Sequence, residues 1–200
     1  MNVRNLTQEE ITSLSCQGCT ASDWQRILVA PDFKTDFIHH TRFSGDVCLG
    51  VFEHEFILDG GVPKHSGLNY VTLHNCRVGN NTLIENIPNY IANYNIGEEC
   101  FIQNANLIVT EGYSSFGNGT QVAVLNETGG REVPIFNELS AHLAYIIALY
   151  RHYPPLTEKL KSIIARYTEQ VSSDRGTIGN RVRIINTGTI RNVAIGDDAT

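Results

Sequence analysis

The chain has 200 residues, 42% of them apolar, enough to bury one sizeable core. A net charge of -6 with pI near 5.6, and the absence of any lysine and arginine run or basic stripe with aromatics, argue against a nucleic-acid surface. The first ten residues hold no apolar export segment and the longest apolar-rich run, Ala141 to Tyr150, is too short to cross a bilayer, so a cytoplasmic protein without membrane or nucleic-acid partners is expected.

Thr7-Gln8-Glu9-Glu10 reads as a capping box that opens a helix through about Leu14, and Thr20-Ala21-Ser22-Asp23 as the start of a second short helix through Leu28. Residues 1–40 thus read as a helical cap over one end of a solenoid. Cys16-Gln17-Gly18-Cys19 has the spacing of a metal or dithiol pair, but no second pair or close histidine succeeds it. Five cysteines, an odd number, fit reduced thiols, so no metal site is predicted there or at His39-His40. Gly60-Gly61 marks a turn, and Pro63-Lys64-His65-Ser66-Gly67 after it reads as an ordinary turn or as a tight loop reaching toward a groove.

From residue 41 a repeat takes over. Val78-Gly79-Asn80-Asn81-Thr82-Leu83 is answered by Ile96-Gly97-Glu98-Glu99-Cys100-Phe101, Ile178-Gly179-Asn180-Arg181-Val182-Arg183 and Ile195-Gly196-Asp197-Asp198-Ala199-Thr200. An aliphatic-Gly-x-x-small-x hexad marks a left-handed parallel β-helix, three hexads to a coil. Positions eighteen apart then stack: Val78 on Ile96, Ile84 on Ile102, Thr82 on Cys100, Tyr90 on Ile108. Asn75 with Asn93, and Asn86 with Asn104, fall where the chain turns, and Asn tolerates left-handed backbone angles and can bond its equivalent in the next coil. Five-residue sides before Val78, Ile96 and Ile195 recur as well.

Ile135, Leu139, Leu143, Ile146, Ile147 and Tyr150 change the period to that of an amphipathic helix, which Pro154-Pro155 breaks. A second helix is predicted to open at Thr157-Glu158-Lys159-Leu160, with Leu160, Ile163, Ile164, Tyr167 and Val171 on one face. The predicted organisation is a mainly β chain in one structural domain: cap 1–40, β-helix 41–133, α-helical hairpin 134–174, β-helix resumed 175–200. Two apolar helix stripes must bury on the flank of their own β-helix or on a neighbouring subunit, and a homo-oligomer, a trimer for preference, is the default expectation. The last hexad ends at Thr200 without a capping segment, so the natural chain is expected to continue or a partner to cover that edge.

For chemistry, Asn126-Glu127-Thr128-Gly129-Gly130-Arg131-Glu132-Val133-Pro134 gathers polar groups around two glycines. Asn126, Gly129, Gly130 and Arg131 are candidate substrate-binding residues, since glycines expose backbone N–H groups and Arg131 can clasp a phosphate or carboxylate. Glu138 and His142, four apart on the first helix, can make a carboxylate–imidazole pair, and His74 projects outward beside the inward Leu73. The candidate catalytic set is His142, Glu127 and His74. Each has a structural counterpart: a solvated helix-face pair, a β-to-helix junction, a single exposed histidine.

The hexads resemble the hexapeptide-repeat transferase superfamily. More closely, Arg42-Phe43-Ser44-Gly45-Asp46-Val47, the Asn126 to Pro134 stretch and Ser173-Asp174-Arg175-Gly176-Thr177-Ile178-Gly179 are similar to an uncharacterised family of long bacterial hexapeptide-repeat proteins. Over essentially all 200 residues the chain looks like the N-terminal part of such a protein. The resemblance implies a transferase-like protein acting on an acyl-CoA or nucleotide-sugar substrate, with no tightly bound cofactor, a histidine at the edge of a coil and a groove between subunits. None of the superfamily's catalytic motifs maps onto this sequence residue by residue. The alternative is a non-catalytic β-helical scaffold or oligomerisation module.

Overall fold

A computed structural model describes residues 2–123, 129 and 132–200. Among the described residues the chain is mainly β, with parallel strands dominant and three α-helices. It divides into two compact units, residues 1–111 with 175–200, and residues 112–174. The division falls at Gly112 and not at Pro134, because the strand Gln121–Ala123 pairs antiparallel with Glu132–Pro134 and so belongs with the helices.

In the first unit the strands form three parallel ladders whose inward columns are apolar. One column runs Val29, Leu49, Val78, Ile96, Ile178, closed by a bridge to Ile195. The second runs Ile38, Leu68, Ile84, Ile102, Ile184. The third runs Phe43, Leu73, Ile91, Ile108, Ile190. The second and third belong to one nine-stranded sheet because Ile38–Ser44 and Gly67–His74 run through both. All three columns meet in a single apolar core, which burial of aliphatic surface stabilises at roughly 25 cal/mol per Å² removed from water.

The predicted stackings Val78 on Ile96 and Ile84 on Ile102 are direct register partners. Thr82 Oγ1 accepts the Cys100 N–H at 3.1 Å. Tyr90, however, is exposed, and Ile91 takes its place opposite Ile108. The five-residue side shortens the spacing to seventeen there, and a one-residue slip turns every side chain over. The asparagine columns have the left-handed angles expected of them: Asn75, Asn93 and Asn192 in one, Asn86, Asn104 and Asn186 in another, all with φ between 50° and 58°. Asn75 Nδ2 donates to Asn93 Oδ1 at 3.3 Å and Asn104 Nδ2 to Asn186 Oδ1 at 2.9 Å. His40 and Tyr70, also left-handed, head the second column with stacked rings 4.6 Å apart. The hexad glycines are required by close approach: a Cβ on Gly79 or Gly97 would lie 2.5 Å from the backbone of the next glycine in the column.

At the N-terminus the capping box is present on helix α1, Gln8–Cys16, whose Leu14 is fully buried in the core. The second predicted helix is not a helix. Thr20–Ala21 and Ile27–Val29 are strands, and Asp23 caps only a single 3-10 turn, Trp24–Arg26. Ile27 and Val29 bury while Leu28 does not, so alternation of β-branched residues prevails over the capping signal. Arg4–Asn5 then pairs antiparallel with that strand and covers the edge of its sheet.

The second unit holds helices α2, Ala141–Leu149, and α3, Pro154–Val171. Among its described residues the buried apolar core holds Val133, Ile147, Ala148 and Ile164. Pro154 and Pro155 end one helical run and begin the next, three residues before the predicted start, because proline suits the first helical turn. Ile163, assigned to the apolar face, is exposed. Ser114 and Ser173 exchange backbone hydrogen bonds of 2.8 and 2.9 Å, bringing the entry and exit of this unit together. That closure explains how Ile96 remains in register with Ile178 across the long insertion. Among the described residues no helix is long and apolar enough to cross a membrane.

Candidate functional site

Between Gly50 and Gly67 the chain leaves the ladders as a β-hairpin arm, Glu55–Ile57 paired antiparallel with Pro63–His65. Gly60 and Gly61, with φ of 81° and 80°, turn it. The arm folds back on the outward face of the second ladder. Phe56 sets its ring edge-on to Phe101 at 5.4 Å, and Ser66, fully buried, accepts the His54 N–H at 3.1 Å. Leu83, Glu85 and Phe101 are therefore buried although they flank the inward Ile84 and Ile102.

Glu85 is the chemically telling residue, 4% exposed. Its Oε1 accepts from Lys64 Nζ on the arm and from Gln103 Nε2, at 2.5 Å, on the adjacent strand. A buried carboxylate persists when a cation and further donors replace its water. Asn69, Glu85 and Gln103 stand in register on one outward row, with His39 opposite Asn69. His65 closes the arrangement. Its ring stacks on Phe37 with centroids 3.3 Å apart, and its Nδ1 lies 2.8 Å from the Ser66 carbonyl. A carbonyl only accepts, so Nδ1 carries the hydrogen and Nε2 keeps the lone pair in the neutral ring. Phe37, His39, Lys64, His65, Asn69 and Glu85 line a cleft of about 440 Å³, a size suited to a small molecule.

Asn126, Glu127, Gly130 and Arg131 lie outside the described residues, and Gly129 is exposed with φ 82°. His142 is exposed near the start of α2, and Glu138 precedes the N-cap Ser140, so the two are not a helical i, i+4 pair. The helix begins later than the apolar period implies because Ser140 accepts the Leu143 N–H and fixes the start. His74, in the other unit, is tied down. Asn75 Oδ1 accepts the Asp46 N–H, which leaves Asn75 Nδ2 as the donor to His74 Nε2 at 3.0 Å. Nδ1 must then donate to Ser44 Oγ, also at 3.0 Å. In that tautomer His74 cannot take a proton from Ser44, and its lone pair serves the asparagine column.

The buried thiols are not poised for chemistry either. Burial pushes Cys19 and Cys100 up and Cys76 to about 11, the reverse of what a reactive thiolate needs. Cys16 is exposed while Cys19 is buried. No group of three or more His, Cys, Asp or Glu side chains able to hold a metal occurs among the described residues.

Residues 3–200 match the family described as Domain of unknown function (DUF4954). The chain belongs to that family. A further similarity is to an "Uncharacterized protein" of Treponema pallidum (strain Nichols), 28% identical over 204 residues, which covers 96% of this chain and 28% of that relative. The chain therefore spans under a third of that relative's length. No solved structure matches it significantly.

A signal for the arm site is present in the sequence. Leu83 and Phe101 put apolar groups on both sides of Ile84 and Ile102, and a period-2 strand with apolar residues on both faces is covered on both. Leu49-Gly50, the first member of the glycine column, escapes a search by spacing because the arm separates it from Val78-Gly79.

Proposed function

We propose that residues 1–111 and 175–200 form a left-handed parallel β-helix of the hexapeptide-repeat kind, and that the cleft beneath its arm is a group-transfer site for a nucleotide-sugar or acyl-CoA type substrate. Three parallel ladders sharing one core, with left-handed residues in columns at the turns, support the first part. The observation that carries the second is His65: an imidazole of fixed tautomer that lines one cleft with the buried Glu85. His65 Nε2 is the base that takes the proton from an acceptor hydroxyl or amine as the donor group is transferred. Lys64, Glu85 and Gln103 hold the arm, and with it His65, on the ladder.

Thermal shift against a panel of acyl-CoAs and nucleotide sugars, with turnover then measured on the hits, tests this. The expected result is stabilisation by one class, and a His65→Ala protein that still binds while turnover falls roughly a hundredfold or more. A panel that leaves the melting temperature unmoved overturns it in favour of a non-catalytic scaffold. That second reading draws support from His74, whose lone pair is spent in the asparagine column.

A further inference from the structure

On the first ladder the outward row runs Leu28, Cys48, Arg77 and Asn95, each opposite the next. With Arg26, Asp46 and Arg175 it lines a cleft of about 340 Å³, separate in residues from the one beneath the arm. Arg26, Arg77 and Arg175 line it together with one carboxylate, Asp46, in a chain whose net charge is -6. Asp46 is already committed, its Oδ1 2.9 Å from Arg26 Nε, and that contact, with Arg175 nearby, holds its carboxyl below the usual range. Arg175 Nη1 donates to the Asn75 carbonyl at 3.4 Å, which orients its guanidinium from the flanking row. Arg77 is different: exposed, in the middle of the row, it has no hydrogen-bond or ionic partner for its side chain among the described residues.

Gathering like charges in a concavity costs energy unless an anion completes it, and planar guanidinium groups match phosphate oxygens two at a time. We propose that this cleft is an anion site for a small phosphate- or diphosphate-bearing molecule. Arg77 and Arg175 clasp the phosphoryl oxygens, and the Asn95 amide bonds a neighbouring hydroxyl. The apolar Leu28 and Val47 at the cleft wall take the organic body of the ligand. The site is independent of the reading given to His65.

Cys48 makes the test direct. Among the five thiols, Cys16 is exposed, Cys48 half-exposed and the other three buried, so in a Cys16→Ser protein Cys48 is the thiol that alkylates in the native state. The probes are inorganic pyrophosphate and inorganic phosphate, with sodium chloride at matched ionic strength as the screening control. Saturable slowing of Cys48 alkylation by pyrophosphate, absent with chloride, is expected. Arg77→Gln, an exposed change that the fold tolerates, should weaken the protection constant roughly tenfold or more, while Arg191→Gln, remote in the ladder order, leaves it unchanged. Absence of saturable protection overturns the proposal. So does protection that survives both Arg77→Gln and Arg175→Gln in proteins that keep the parent melting temperature.

Discussion

The two compact units solve the same problem by different means. In residues 1–111 and 175–200 each turn of chain adds one inward side chain to each of three columns, so core grows by repetition and register. In residues 112–174 the described core gathers four buried apolar residues from a strand and two helices, with Phe136, Leu139, Leu143, Ala144 and Leu160 packed against them. A stacked core passes the loss of one layer to its neighbours, whereas a small helical core fails as a whole. Ile102→Ala and Ile164→Ala, both at nearly fully buried positions, should each cost about 2–5 kcal/mol. The readouts separate them. Ile102→Ala should speed hydrogen exchange in the strands Leu83–Glu85 and Arg183–Ile185 on either side, while Ile164→Ala should lower helical ellipticity and leave those amides protected. Strand amides set free by Ile164→Ala would break the comparison.

A finer contrast lies within the glycine column. Gly97 and Gly196 occupy the same place in the repeat, but a Cβ on Gly97 meets the Gly179 carbonyl oxygen at 2.5 Å and one on Gly196 meets nothing within 4 Å. Gly97→Ala should cost about 1–3 kcal/mol through overpacking, and Gly196→Ala within about 0.5 kcal/mol of nothing. Urea titration of the pair checks this, and equal costs would mean that close packing between layers is not what the glycine provides.

The same contrast decides how much of the fold is legible in the sequence. Where a residue's environment repeats, as for Val78 and Ile96 or Asn75 and Asn93, spacing alone predicts its neighbour. Where the environment is set once, spacing has nothing to compare. Ile27 and Leu28 read as the end of a helix because Thr20-Ala21-Ser22-Asp23 looks like a helix start, and only pairing of Ile27–Val29 with Val47–Leu49 decides otherwise. The arm joins Lys64 to Glu85 through a contact between its own strand and the ladder face, which no local pattern encodes. Glu138 and His142 fail as a pair for a smaller reason: the N-cap hydroxyl of Ser140 fixes the helix start nearly two turns later than hydrophobic period suggests.

The smallest effect belongs to the edge of the first unit. Glu10 accepts from Arg4 Nη1 and Nη2 at 2.9 and 2.7 Å and from the Thr7 N–H at 2.8 Å, while Thr7 Oγ1 accepts the Glu10 N–H. The Arg4 hydrogen bonds, and after them the Thr7 backbone, hold this carboxyl below its ordinary value against the opposing effect of burial. A depressed carboxylate pKa binds fewer protons in the folded state, so its stabilisation is present above the unfolded value, near 4.5, and is lost as pH falls through the folded one. Thr7→Ala should cost about 1 kcal/mol at neutral pH. Glu10→Gln should cost at most about 1 kcal/mol, since Arg4 is partly solvated and screened. The Glu10→Gln deficit should fade in acid, because the parent then loses the ion pair that the variant already lacks. Melting curves of parent and variant in parallel from neutral pH downward decide it. A gap that stays constant below the ordinary carboxylate range would show that Glu10 acts at this edge only as a neutral cap.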